Sequence, residues 1–243
     1  MRLTAAMALL TTIATSIDCS GVLSRKYEYE EEIYLALDGS ATVFVNAAVP
    51  ALVTLRAARL PLDPRARLDR RVVADFFESP VSHVASVTLS RRDRRRYVHV
   101  RIDVPDIRQL SRSPAFAWSA YRFDSRDGVM AYAQTVNASA ERDVGNVGWS
   151  GRELVAFKLH LPSRVPFHNA PSRSIERGNI IIWDQPLADR VTGVPVDIQV
   201  QMEPQSILIR TLTLFGLMML VVAATFVGFI WVLRRRGRAE TVP

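Results

Sequence analysis

Residues 27–45 decide the fold, and they read YEYEEEIYLALDGSATVFV. Apolar residues recur at every second position through Ile33, Leu35 and Leu37, which predicts a β-strand with one buried face. Asp38-Gly39 is a tight-turn signal, and the alternating residues after it predict a return strand. The stretch therefore predicts an N-terminal β-hairpin. Its glutamates, at positions 28 and 30–32, are interpreted as one charged strand face that guards a sheet edge.

Outward from this hairpin, the same period-two pattern continues along the chain. Residues 84–104 and 118–137 predict two further hairpins, and residues 154–161, 179–184 and 194–202 predict strands. Pro50 begins one predicted short helix and Asp69–Glu78 form a second, while residues 106–112 favour a helical turn. Strands joined locally, with two or three short helices, indicate an α+β fold: an antiparallel, hairpin-rich domain at residues 20–206.

The C-terminal region predicts one membrane-spanning helix at residues 207–233. Residues 211–233 contain no charged side chain, and a helix of that length is about 35 Å long, enough to cross a hydrocarbon core of about 30 Å. The tail at residues 234–243 is basic, with Arg234, Arg235, Arg236 and Arg238. Because basic flanks stay inside, the C-terminus is predicted to be cytoplasmic and the N-terminal domain extracytoplasmic in a bacterial cell membrane.

Residues 1–19 have the features of a signal peptide. Arg2 precedes a short apolar run, and Ala14-Thr15-Ser16 is an acceptable cleavage signal. Cys19 falls where a bacterial lipoprotein carries its acylated cysteine, but Asp18 stands where a small residue is usual. Two interpretations stay open for Cys19, a lipid anchor and a free thiol, and the second is favoured.

Positive charge is the most pronounced compositional feature. The chain of 243 residues has a formal charge of +7, and all but two of its 31 basic residues are arginine. Much of this charge lies in the tail; five arginines lie at the tip of the second hairpin: Arg91, Arg92, Arg94, Arg95 and Arg96. Guanidinium groups make bidentate contacts with phosphates, so this tip is the predicted ligand-binding site. The alternative, which is favoured, is that these arginines only keep the hairpin tip solvated and unpaired. Its predicted topology and the absence of an adjacent aromatic platform favour anionic lipid or an envelope glycan over nucleic acid.

No motif in the sequence predicts catalysis, a metal site or a cofactor. Residues 148–152 read GWSGR, which departs from a nucleophile elbow because arginine stands where the turn needs glycine. The histidines at 83, 99, 160 and 168 lack the spacing that directs two imidazoles at one metal. His99 and His160 fall on outward strand faces and are interpreted as solvated. The single cysteine excludes a disulfide framework.

The order of these elements resembles the LppM-like group of bacterial membrane-anchored envelope proteins. The resemblance lies in an exported N-terminus, the hairpin at 27–45, a late strand reading GNIIIWD at 178–184, and a membrane helix with an arginine tail. It implies binding of lipid or glycolipid in the envelope and transfers no catalytic residue. Asp18 departs from the group's lipobox, which puts lipid modification of this chain in doubt.

The sequence thus predicts a single-pass envelope protein that is a binding module, not an enzyme, for anionic lipid, glycolipid or a membrane partner. Two alternatives stay open. One is an envelope hydrolase whose site combines distant residues, such as His99 or His160 with a carboxylate. The other is a structural subunit of a membrane complex with an unknown protein partner.

Overall fold

The computed structural model describes residues 27–92 and 95–239. The predicted signal peptide, Cys19 and Arg94 lie outside the described residues. The strands are β1 (Tyr27–Leu35), β2 (Ala41–Ala48), β3 (His83–Arg92), β4 (Arg95–Val104), β5 (Ser119–Arg126), β6 (Val129–Val136), β7 (Leu154–His160), β8 (Phe167–His168), β9 (Ile180–Pro186) and β10 (Val196–Met202). The helices are α1 (Val49–Arg56), α2 (Arg70–Phe77), α3 (Leu187–Val191) and α4 (Ile207–Ala239).

The N-terminal hairpin forms as predicted and becomes the centre of a six-stranded sheet. The strand order is β3-β4-β2-β1-β7-β9, and every neighbouring pair is antiparallel except β1 and β7, which run parallel. Gly39 closes the hairpin turn with φ +90°, and a Cβ there would lie 3.3 Å from the Phe123 ring. The positive φ therefore favours glycine, and a Cβ would also push the Phe123 ring aside by a few tenths of an ångström.

Four strands form a second sheet in the order β5-β6-β10-β8, with β6 pairing antiparallel to β5 and to β10. The inner faces of the two sheets pack against each other. The Trp118 ring, just before β5, lies 5.4 Å from the Tyr29 ring of β1 in edge-to-face contact. The structure is thus an α+β fold with antiparallel sheets and a few helices. The core lies between two sheets, a layered arrangement that buries one face of each.

The short helices close this core. Helix α1 is buried along its whole length, with Pro50 in its first turn as the sequence predicted. Helix α2 begins where Asp69 accepts a hydrogen bond from the Arg71 backbone N–H at 2.9 Å. It buries Val73 and Phe77, whereas Val72 lies on the solvent side of the helix and is 45% exposed.

The six-stranded sheet has two distinct ends. At one end, β1 and β7 begin and the β3–β4 hairpin has its tip, since Arg92 pairs with Arg95. We call this the distal end. At the other, the chain leaves β7, and the Pro162 carbonyl oxygen accepts a hydrogen bond from the Ile207 N–H at 3.0 Å. We call this the α4 end. Strand β7 runs from one end to the other over 7 residues, so the two ends lie about 20 Å apart at 3.3 Å per residue.

Helix α4 is a candidate membrane span over Ile207–Trp231, and none of this apolar stretch is buried in the domain. Its length and composition fit a single-pass membrane protein. The helix continues past the predicted boundary at residue 233 to Ala239, so the first arginines of the basic tail extend it.

Candidate functional site

The arginines of the β3–β4 tip are bound to their own domain to different degrees. Arg95 donates to a carboxylate oxygen of Glu28 and to the Gly148 carbonyl oxygen. Arg96 is 8% exposed and donates to the carbonyl oxygens of Pro61 and Ala66. The interpretation that the tip arginines are solvated and unpaired is therefore wrong for Arg95 and Arg96, because loop carbonyls and Glu28 lie within reach of them. A ligand-binding role for the tip stays a prediction.

The two preceding arginines are exposed. Arg91 donates to the carbonyl oxygen of Pro64, and the Arg92 guanidinium lies over the Tyr97 ring at 5.2 Å. Carbonyl and aromatic partners carry no net charge, so both positive charges remain available to an anion.

Beside this tip, the distal end holds a cleft of about 660 Å³, which we call the distal cleft. Its walls come from the start of α1, the loop before α2 and the loop before β7. The apolar lining residues are Val49, Pro50, Leu62, Pro64, Val144 and Val147. Arg95, Arg96 and Asp63 also line it, and Arg91 reaches its edge through Pro64. An apolar wall beside guanidinium groups is suited to a ligand with an apolar chain and an anionic head.

Asp63 and Glu28 bring negative charge to the same region. Glu28 pairs with Arg95, and the charge of Asp63 acts on Arg96, whose pKa burial lowers. Three guanidinium groups, at positions 91, 95 and 96, thus face three carboxylates, because Glu153 Oε1 also lies 3.8 Å from Arg95 Nη2. Together with Arg92, the region keeps a positive balance.

The outer face of the six-stranded sheet carries a second arrangement, a hydrogen-bonded chain across five strands. Ser90 Oγ lies 2.8 Å from His99 Nε2, and His99 Nδ1 lies 2.9 Å from Asn46 Oδ1. Asn46 Nδ2 donates to Glu30 Oε1 at 2.9 Å, and Glu30 Oε2 pairs with Lys158 Nζ at 2.7 Å. We call this the sheet-face chain. All its members except Lys158 line a cavity of about 290 Å³ together with Tyr27, Arg92 and Tyr97.

The state of His99 follows from this chain. Burial lowers the pKa of His99, and the charge of Arg92 lowers it further, so the imidazole is neutral at pH 7. Since the Asn46 amide nitrogen donates to Glu30, its oxygen faces His99 and accepts from Nδ1–H. Nε2 then holds a free lone pair that accepts from the Ser90 hydroxyl. His99 is thus a hydrogen-bonded base rather than the solvated residue predicted from its strand face.

His160 is likewise partnered instead of free. It bonds to Glu32 and stacks on the Tyr34 ring at 3.8 Å. The hydrogen bond from His160 lowers the pKa of Glu32. Over residues 27–92 and 95–239, no group of three or more His, Cys, Asp or Glu side chains is placed to hold a metal ion.

Inside the core, a buried ion pair joins the two sheets to α1. Arg56 Nη1 lies 3.2 Å from Glu31 Oε2, and both side chains are at most 1% exposed. The other Glu31 oxygen accepts from the Tyr121 hydroxyl and the Gln134 amide, each at 3.1 Å. Burial raises the pKa of Tyr121 well above its usual value and the charge of Glu31 adds to this, so its phenol stays a donor.

This pair corrects the interpretation of the glutamates in β1. They do not form one solvent-facing edge: β1 is central in its sheet, and Glu31 lies on the inner face with Tyr29 and Ile33. The alternation could have predicted this, because residues 29, 31 and 33 are two positions apart and so lie on the same face of the strand. Sequence spacing gave no indication of Arg56 as its partner.

No protein-family model matches the chain, and no curated protein sequence matches it. Its structure is similar to the folded domain of LppM from Mycobacterium tuberculosis, solved by NMR. That similarity has a TM-score of 0.43 at 14% sequence identity and covers 75% of this chain and 94% of that one. The similarity agrees with the weak resemblance to the LppM-like group and transfers no residue role.

Proposed function

We propose that this chain is a membrane-anchored binding protein whose distal cleft takes an anionic amphiphile, a molecule with an apolar chain and a phosphate or carboxylate head. The observation that carries the proposal is the cleft itself, in which Val144 and Val147 share one cavity with Arg95 and Arg96. Burying an alkyl chain against the valines yields about 0.8 kcal/mol per CH₂ group, and the guanidinium groups select the head.

The position of the cleft limits where the ligand comes from. The domain is extracytoplasmic in this proposal, and the cleft lies at the end of the sheet remote from α4. A ligand therefore arrives from solution or from an opposing surface rather than by sliding out of the bilayer that α4 enters. Anionic lipids and anionic glycolipids of the envelope have the required chemistry of apolar chain and anionic head.

Photo-crosslinking tests this assignment. An alkyl phosphate with a diazirine in its chain, added to the full-length protein in phosphatidylcholine nanodiscs, is expected to label residues 61–66 and 143–148. The same chain with a choline head is expected to label these peptides weakly, because the arginines offer it no counter-charge. Label confined to α4, or equal label from both probes, would contradict the proposal.

A second candidate function, ester hydrolysis, is supported by the sheet-face chain. Ser90 Oγ would attack the ester carbonyl carbon while His99 Nε2 takes its proton, and His99 would return that proton to the departing alcohol. Water then hydrolyses the acyl-serine with His99 as base. Arg92 lines the same cavity, where its charge would stabilise the oxyanion.

A fluorophosphonate probe separates this candidate from a pure binding role. Ester hydrolysis predicts that the wild-type chain is labelled covalently and that Ser90→Ala loses the label, because the neutral His99 activates that hydroxyl. A pure binding role predicts no label. Ser86→Ala, on the same strand and also exposed, is the matched control and should keep the label. An unlabelled wild type, or equal labelling of Ser90→Ala, would exclude Ser90 as a nucleophile.

A further inference from the structure

The segment between β7 and β9 is fastened at its beginning to the start of α4, and its two ends are bonded to each other. Besides the bond from Ile207 to Pro162, Ser163 and Ser206 form a β-bridge, and the Glu203 N–H donates to the Arg164 carbonyl oxygen at 2.9 Å. At the other end of the segment, Asn179 Nδ2 donates to the Ser163 carbonyl oxygen at 2.7 Å. The two ends of residues 162–179, which we call the juxtamembrane segment, therefore lie where α4 leaves the domain, and between them Phe167 pairs with Gln201 of β10.

This segment exposes apolar and basic side chains together. Phe167 is 45% exposed and Ile175 is 40% exposed. Three arginines of the segment are also exposed, Arg164, Arg173 and Arg177, against one exposed carboxylate, Glu176. Aromatic and aliphatic side chains interleaved with arginine are typical of surfaces that lie in the head-group layer of a bilayer.

Phe167 lies close to the start of α4. Arg210, one turn into α4, is the last charge before the uncharged stretch and so marks the level of the lipid head groups. Ser163 lies beside Ser206, just before α4, and Phe167 is four residues further, which is at most about 13 Å of extended chain. Because β8 pairs with the last residues of β10, Phe167 lies within that distance of the point where α4 begins.

We infer that the juxtamembrane segment lies on the phospholipid surface that α4 enters, with Phe167 and Ile175 inserted among the head groups. This contact holds the domain in one orientation and turns its distal end away from the bilayer. A single helix leaves the domain free to tilt, whereas a second contact beside the helix limits that motion. The inference rests on α4 as a membrane span and does not depend on what the distal cleft binds.

Fluorescence quenching by brominated phosphatidylcholine tests the inference in nanodiscs that hold the full-length chain. Phe167→Trp is made in a Trp231→Phe background, which removes the tryptophan of α4. The matched control is Val194→Trp in the same background, because Val194 is 49% exposed and precedes the opposite end of β10. The emission that Phe167→Trp adds is expected to be at least about twofold lower in brominated than in unbrominated phosphatidylcholine. Interfacial side chains enter the head-group boundary by about 5–10 Å, where the bromine atoms can quench them.

Emission added by Val194→Trp is expected to be unchanged. Quenching at residue 167 but not at 194 supports the inference. Absence of quenching at 167, or equal quenching at both positions, overturns it. Comparison of the unaltered chain with Trp231→Phe isolates the emission of Trp231, which is quenched if α4 is inserted. An unquenched Trp231 would overturn the membrane premise and the inference with it. None of these outcomes bears on ligand binding in the cleft.

Discussion

Replacing Arg56 with methionine is expected to lower the free energy of unfolding by about 3–5 kcal/mol, because it leaves the Glu31 carboxylate buried without its counter-charge. The loss is large since neither side chain can reach water: both are at most 1% exposed. Arg56 also donates to the Ala115 carbonyl oxygen and lies 4.4 Å from the centre of the Trp118 ring. These contacts join α1 to the second sheet, so the variant loses packing as well as charge balance.

Urea unfolding of the full-length chain in mild detergent, followed by circular dichroism, measures this effect. Arg101→Met is the control: Arg101 is half exposed on β4, so its change should stay within about 0.5 kcal/mol. Glu31→Gln combined with Arg56→Met should be less destabilised than Arg56→Met alone, because the unpaired charge is gone while Tyr121 keeps an acceptor. Wild-type stability in Arg56→Met, or a double variant that loses the sum of both single changes, would contradict the role of the ion pair.

Val147→Glu is expected to weaken binding of an anionic amphiphile at least about tenfold, a difference of about 1.4 kcal/mol. The new carboxylate would stand in the apolar wall of the distal cleft and take Arg95 or Arg96 as its own counter-ion. It would also repel the anionic head of the ligand and put a charge where the alkyl chain lies. Calorimetric titration with dihexanoyl phosphatidylglycerol, kept below its micelle concentration, measures the affinity.

Two controls separate charge in the cleft from general effects. Val147→Leu keeps the wall apolar and adds no charge, so it should bind about as well as wild type. Val194→Glu adds the same charge at an exposed position outside the cleft lining and should leave the affinity unchanged. Equal affinity in Val147→Glu and wild type would show that the ligand does not enter this cleft.

The local part of the fold was predictable from the sequence, and the long-range part was not. Three hairpins follow from alternation and turn residues, which act between neighbours in the chain. The parallel pairing of β1 with β7 joins Tyr27 to Leu154, and no local pattern encodes a partner so far along the chain. That pairing makes β1 a central strand, which is why an acidic edge was the wrong interpretation for Glu31.

The candidate site shows the same division. The tip arginines were visible in the sequence, but their partners Pro61, Ala66 and Gly148 lie on two distant loops. Only the folded chain shows that these loops and the arginines enclose one cleft. The sheet-face chain is equally non-local, since Ser90, His99 and Asn46 come from three strands.

The most direct test of the central claim is the calorimetric titration of the unaltered chain, in phosphatidylcholine nanodiscs, with dihexanoyl phosphatidylglycerol and with dihexanoyl phosphatidylcholine. Empty nanodiscs correct for partition of either lipid into the bilayer. The proposed function predicts saturable binding of phosphatidylglycerol at one site per chain, and phosphatidylcholine at least about tenfold weaker because its head is zwitterionic. Heat that matches the empty nanodiscs for both lipids, or equal affinity for the two heads, would contradict an anionic-amphiphile site.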